Sequence, residues 1–319
     1  MEDKLQELVV ELLGDGAMEY FIGYRQGFEP SHVVPCFVTD KSEADRLIWG
    51  PLCLQNLSKY VLQARDLDGK VGLLVKGCDA RAIVELVKQH QIERDKIVVV
   101  GVPCEGQVDP RKLERVLGVP MEQVTDVEDA GDEFLVKVGG EVSKIGKEQV
   151  LRDKCLFCKH PASFDYDYTL GEVQPFTIES EIEEYAAVEK LEELPLEERR
   201  AYWQKQFERC IRCNACREVC YGCYCKECIF DRTAPRWLDR PPLPRENEMY
   251  HLIRAVHLAG RCIDCGECER VCPVNIPLGR LYKKLQKDIA ELFDYEAGME
   301  YDTVPPLVDF ELDDQDPFL

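Results

Sequence analysis

The sequence predicts a two-part molecule, an α/β N-terminal domain built on a β-α-β core followed by a small, mostly α-helical domain. Three observations carry that expectation. Two apolar segments, VGLLV at 71–75 and IVVVGV at 97–102, flank the helical RAIVELVKQHQ. That is the pattern of two buried parallel strands joined by a crossover helix. Two cysteine runs, at 210–220 and 262–272, each follow a helical stretch. Between the halves, residues 179–199 are dominated by glutamate, which suits a solvated linker or an exposed helix rather than core. The expected boundaries are 1–178 for the α/β domain, 179–209 for the acidic linker and helix, 210–287 for the helical domain and 288–319 for an acidic tail.

Along the chain, KLQELVVELL places Leu5, Leu8, Val9 and Leu12 at i, i+3, i+4 and i+7, with Gly14 positioned to end a first helix. MEYFIGYR and SHVVPCFVTD have strand character, and LCLQNLSKYVLQARDL returns to helical periodicity. In the β-α-β unit KGCDA reads as a turn. Cys78 and Cys104 then fall just beyond the carboxyl ends of adjacent parallel strands, where such sheets carry their functional groups. Lys76, Asp79 and Arg81 share that turn and are candidate contacts to a cofactor there. DEFLVKVGGEVSKI reads as a hairpin turning at Gly139 and Gly140, leading into Cys155 and Cys158. Pro195 opens the helix LEERRAYWQKQFERC. NEMYHLIRAVHLAG is an amphipathic helix carrying Met249, Leu252, Ile253 and Val256. No basic residue follows Lys287, so the end is either a disordered acidic tail or a strap on a partner. The interleaved Phe293, Tyr295, Tyr301, Leu307, Phe310 and Phe318 favour the strap.

Composition narrows the function classes. A net charge of -21 repels phosphate backbones and argues against nucleic acid as a ligand. No apolar run reaches the roughly 20 residues of a bilayer span, so no direct membrane insertion is expected. The first residues, MEDKLQELVVELLGDG, lack the apolar core of a signal peptide. The 17 cysteines are therefore expected to be cytoplasmic, reduced and available to metal. No Ser-His-Asp set and no GxxxxGK[ST] loop appears.

Cys210, Cys213, Cys216 and Cys220, then Cys262, Cys265, Cys268 and Cys272 before Pro273, repeat the ligand spacing of a two-cluster iron–sulfur protein. Three thiolates at i, i+3 and i+6 wrap one cubane while the fourth points to its neighbour. Cys210, Cys213, Cys216 and Cys272 are expected to hold one [4Fe-4S] cluster, and Cys262, Cys265, Cys268 and Cys220 another. Zinc knuckles would show separated Cys-x-x-Cys pairs instead. Cys223, Cys225 and Cys228 stay open between ligands of a further cluster, alternative ligands and reduced side chains packed beside the cubes. Cys36 and Cys53 sit in apolar contexts and read as core. His160 reads as a surface residue.

Residues 210–287 resemble the helical ferredoxin domain of heterodisulfide reductase small subunits and of fumarate reductase iron–sulfur subunits. VKGCDARAI, VGVPCEG and CLFCKHPASFDYDYTLGE resemble the beta subunits of coenzyme F420 hydrogenases and formate dehydrogenases. This resemblance implies that Cys78, Cys104, Cys155 and Cys158 ligate a third [4Fe-4S] cluster. It also implies FAD in the N-terminal domain, for which the residues give no independent sign. The function expected is an iron–sulfur electron-transfer subunit of an anaerobic oxidoreductase complex. Its partners would be a heterodisulfide-reductase-like flavoprotein, a hydrogenase or a formate dehydrogenase. The alternative is a flavin-dependent oxidoreductase acting directly on a deazaflavin or nicotinamide.

Overall fold

The computed structural model describes residues 1–172, 183–239 and 241–308. It divides into two compact units, Met1–Ile83 with His90–Glu183, and Val84–Gln89 with Glu184–Leu319. No helix among the described residues is long and apolar enough to cross a membrane.

The first unit opens with α1 (Glu2–Gly14), which buries Leu5, Val9 and Leu12. Strands β1 (Tyr20–Gln26) and β2 (Val33–Val38) pair antiparallel. β3 (Val71–Val75), α2 (Gly77–Lys88) and β4 (Ile97–Gly101) form the expected β-α-β unit, with both strands buried along their length. β3 pairs parallel with β1 and β4, as helix-covered strands do. After α3 (Pro110–Leu117), capped by the Asp109 carboxylate, β5 (Val124–Asp129), β6 (Glu133–Val138) and β7 (Glu141–Gly146) make a separate antiparallel sheet. The Gly139–Gly140 hairpin joins β6 to β7, and β5 is a strand that the sequence pattern does not reveal. Two single-turn helices, α4 (Lys147–Val150) and α5 (Asp153–Leu156), lead to β8 (Tyr168–Thr169), which pairs parallel with β4. The larger sheet therefore has the order β2-β1-β3-β4-β8.

Two elements differ from expectation. Segment 52–67 forms a 3-10 helix over Leu57–Asp66 rather than an α-helix. Its start is pinned by side chains: the Asn56 carbonyl accepts from the Ser58 amide (3.1 Å) and an Asp79 oxygen from the Leu57 amide (2.9 Å). KGCDA is not a free turn either, because α2 begins at Gly77 and takes Cys78 and Asp79 into its first turn.

The second unit contains α6 (Ala186–Glu192), α7 (Leu196–Glu208), α8 (Ala215–Glu218), α9 (Pro244–His257), α10 (Glu267–Arg270) and α11 (Leu278–Phe293). Pro195 immediately precedes α7. Part of the glutamate-rich stretch is paired, since Lys287 of α11 bonds Glu189 (3.3 Å) and Glu192 (2.8 Å) of α6. The core gathers Leu238, Tyr250, Leu258, Ile276, Leu278 and Tyr282 around Cys216 and Cys272. Beyond α11 the Tyr295 hydroxyl donates to Glu85 (3.1 Å) and the Gly298 amide to the same carboxylate (2.8 Å), so this part of the acidic tail is held by its own chain. Phe310 and Phe318 lie outside the described residues.

Candidate iron–sulfur centres

The two cysteine runs adopt matching backbone conformations. In the first, Arg212 and Asn214 have φ of 50° and 61°; at the equivalent places in the second, Asp264 and Gly266 have 56° and 67°. Left-handed residues on both sides of the middle cysteine curl each run, so its first two thiols turn to the same side as the third, which sits in the first turn of α8 or α10. Asparagine and glycine meet that demand at low cost. Arg212 and Asp264 are held by side-chain contacts, Arg212 to the Asp239 carbonyl (2.6 Å) and Glu246 (3.0 Å), and Asp264 to Lys283 (2.7 Å).

Two clefts result. Cys210, Cys213, Cys216 and Cys272 line one of roughly 320 Å³, together with Tyr250, His251 and Ile276. Cys220, Cys262, Cys265 and Cys268 line the other, of roughly 430 Å³, together with Arg254, Glu267 and Tyr282. Each cleft takes three thiols from one run and the fourth from the other. Among the described residues no three Cys, His, Asp or Glu side chains close on one point, as they would around a single ion.

The surroundings suit anionic sulfur. The Arg212 amide points at Cys210 Sγ (3.4 Å) and the Ile276 amide at Cys272 Sγ (3.3 Å), the amide-to-sulfur donors that iron–sulfur sites use. His251 Nε2 lies 3.3 Å from Cys210 Sγ, with its ring stacked on Phe207 at 4.9 Å. Burial, with Arg254 nearby, lowers the His251 pKa to about 4, so at neutral pH the imidazole is uncharged. Its Nδ1 has no partner, which fits the tautomer that donates from Nε2 to the cysteine. Burial pushes the Cys262 thiol up to about 11, with Asp264 adding to the rise, so iron must displace its proton.

Cys223, Cys225 and Cys228 diverge. Cys223 turns inward against Cys220 and Arg254, Cys228 meets Arg217, and Cys225 is exposed. Cys36 and Cys53 are buried core residues at 2% and 1% exposure.

In the first unit, four thiols gather at the carboxyl ends of β3 and β4. Cys78 lies in the first turn of α2 and Cys104 just after β4, with its amide bonded to the Pro161 carbonyl (2.8 Å). Cys155 is in α5, and Cys158 follows it. Arg94 pins the connecting segment by pairing with Asp165 (2.7 Å) and Asp167 (3.1 Å), and β8 then docks on β4. Burial pushes the Cys104 thiol up to about 12, and Cys155 and Cys78 raise it further against Lys76 and Lys154. Cys158 faces Lys154, Cys78 and Cys155, and the His160 amide donates to it. His160 therefore contributes through its backbone, with its side chain half-buried. Lys154 Nζ is 3.6 Å from Cys78 Sγ.

Lys76 and Asp79 are buried and pair with each other at 3.0 Å. Lys76 also reaches the Tyr24 hydroxyl and the Gln55 carbonyl (2.9 Å), and its charge faces Cys78 and Cys104. Arg81 is half-buried on α2. Because Asp79 additionally accepts the Lys76 and Leu57 amides, Asp79→Ala strands a buried ammonium and two donors. We expect a loss of about 3–5 kcal/mol in urea unfolding; a loss below about 1 kcal/mol would show that Lys76 does not need this partner.

Residues 68–223 match the family defined by the C-terminal part of the coenzyme F420 hydrogenase/dehydrogenase beta subunit, and residues 255–277 match the 4Fe-4S binding domain. Just under half of the chain thus resembles this beta-subunit domain, with a 4Fe-4S domain match after it. The first match begins before Cys78 and runs through the first cysteine run, further than the three quoted motifs reach. The chain is similar to the F420-dependent formate dehydrogenase subunit beta of Methanocaldococcus jannaschii, at 23% identity over 94% of this chain and 92% of that one. The F420-dependent formate dehydrogenase 1 subunit beta of Methanococcus maripaludis is 27% identical over 92% and 90%. A chain of the F420-reducing [NiFe] hydrogenase complex from Methanosarcina barkeri aligns with TM-score 0.39 and 18% identity over 50% of this chain and 59% of that one. The chain is thus similar over most of its length to beta subunits of F420-dependent formate dehydrogenases and matches a 4Fe-4S binding domain.

Sequence reasoning missed His251, Arg254, Tyr250 and Tyr282 as cleft residues. The available signal was Asn247, His251 and Arg254 at helical spacing, a polar stripe on a helix that delivers a cysteine run.

Proposed function

We propose that this chain is the beta subunit of a cytoplasmic, F420-dependent formate dehydrogenase or hydrogenase complex and binds three [4Fe-4S] clusters. Their ligands would be Cys210, Cys213, Cys216 and Cys272; Cys262, Cys265, Cys268 and Cys220; and Cys78, Cys104, Cys155 and Cys158. The single observation that carries this reading is the crossed lining of the two clefts, three thiols from one run and one from the other. When bound, such clusters accept and pass single electrons. The chain's own residues hold the charge and exclude water. Lys76 and Lys154 offset thiolate charge in the first unit, while His251 and the Arg212 and Ile276 amides donate to the cysteine sulfurs that would hold a cluster in the second. FAD in the first unit rests on the beta-subunit relationship.

Anaerobic purification followed by iron, zinc and flavin analysis tests the proposal. We expect about twelve iron atoms per chain, four per cubane, with the partner subunits co-purifying. A colourless zinc-containing chain would sink the cluster assignment. Stoichiometric flavin on the isolated chain would support direct reaction with a deazaflavin, and its absence would remove FAD from the proposal.

A further inference from the structure

Arg254 has an environment that hydrocarbon packing does not explain. It is 4% exposed, and no carboxylate among the described residues pairs with it. One terminal nitrogen donates to the Cys216 carbonyl (2.8 Å) and the other to the Tyr282 hydroxyl, whereas Nε has no partner. A buried guanidinium without a counter-ion is strongly unfavourable, so an anion belongs beside it.

Every other charged residue lining the two clefts is already neutralised. Arg212 pairs with Glu246, Asp264 with Lys283, and Glu267 with Arg270. Lys283 also faces Cys262 but is tied to Glu184 and Asp264, whereas Arg254 faces sulfur without a carboxylate beside it among the described residues. It lines the second cleft and not the first, and its charge bears on Cys220, Cys262 and Cys268 there as well as on Cys216 of the first. Cys223 also lies against it.

We propose that Arg254 is the fixed counter-charge of the paired centres, raising the reduction potential of the Cys220/Cys262/Cys265/Cys268 cluster more than that of its neighbour. This inference rests on the ligation proposed above. A cubane held by four thiolates is net anionic and gains a further negative charge on reduction, so a nearby cation in a low-dielectric site favours the reduced form. The asymmetric contacts make that effect larger on the second cleft. Arg254 acts as a positioning charge and takes no electron itself.

The test is an EPR-monitored redox titration of the full chain, with iron counted in parallel, for wild type, Arg254→Gln and Arg254→Lys. The second-cleft signal is assigned by its loss or change in Cys265→Ser. In Arg254→Gln we expect its reduced-to-oxidised ratio at fixed potential to fall at least tenfold, about 59 mV for one electron, with a smaller shift at the first cleft. Arg254→Lys should restore most of the shift. Full iron with an unmoved potential in Arg254→Gln overturns the proposal, as does a shift that lysine fails to reverse. If Arg254→Gln loses iron, retention in Arg254→Lys supports the charge role and equal loss overturns it. A wild-type chain without cubanes defeats the ligation reading itself, whereas cubanes with unmoved potentials defeat this inference alone.

Discussion

Cys272→Ala is expected to strip about four iron atoms from the cleft of the other cysteine run and leave the cleft of its own run loaded. In sequence Cys272 closes the second run, yet its thiol lines the same cleft as Cys210, Cys213 and Cys216. Removing it takes away one of four thiolates, and with it the closed ligand shell that shields a cubane from water. Anaerobic alkylation followed by peptide mass mapping reads the result by position. Cys210, Cys213 and Cys216 should become reactive while Cys220, Cys262, Cys265 and Cys268 stay protected. Cys220→Ala should give the converse pattern. Labelling of Cys262, Cys265 and Cys268 in the Cys272→Ala protein would mean that each run closes on itself and would end the crossed arrangement. A variant in which all seven remaining thiols become reactive would point to collapse of the unit, so retention of α-helical circular dichroism accompanies the labelling.

The parts of this fold legible in sequence are those where one physical signal acts alone. β3 and β4 are covered on both faces, so VGLLV and IVVVG are apolar throughout and their strand identity is unambiguous. The grouping of Cys272 with the first run follows from ligand spacing, because four-residue steps at the end of each run turn the last thiol away from its own three. Hydrophobic periodicity misled on α9. The apolar stripe drawn through Leu252 and Val256 is largely outward, at 44% and 56% exposure, while Asn247, His251 and Arg254 are buried. Periodicity assumes that the interior is hydrocarbon. Here the interior is lined by thiols that call for donors and cations, so the polar face turns in. Segment 52–67 misled for a related reason. Its helical spacing is real, but Asn56 and Asp79 fix its first amides through side chains and the segment winds as a 3-10 helix. Neither β5 nor the two-residue β8 carries enough alternation to be recognised, and β8 depends on Asp167 accepting from the Val99 amide (2.7 Å).

Gly77→Ala should disable the four-cysteine set of the first unit while leaving both clefts of the second loaded. A Cβ at residue 77 would stand 1.8 Å from the His160 carbonyl oxygen and 2.8 Å from that of Ala162. Both are backbone atoms, so no side-chain rotation relieves the clash. The segment they belong to cannot retreat cheaply, because Pro161 accepts the Cys104 amide and Ala162 bridges Pro103. Gly77 thus sets how closely the start of α2, which bears Cys78, approaches the segment that follows Cys158. Overpacking of this kind costs about 3 kcal/mol, read as a denaturant midpoint lower than wild type at unchanged slope. Iron should fall by about four atoms per chain, to the level of Cys104→Ala, which removes one thiol of the same set without a clash. Agreement of the two variants in iron, with only Gly77→Ala losing stability, would separate ligation from packing. Full iron in Gly77→Ala would show that the loop can yield, and full iron in Cys104→Ala would refute the third cluster outright.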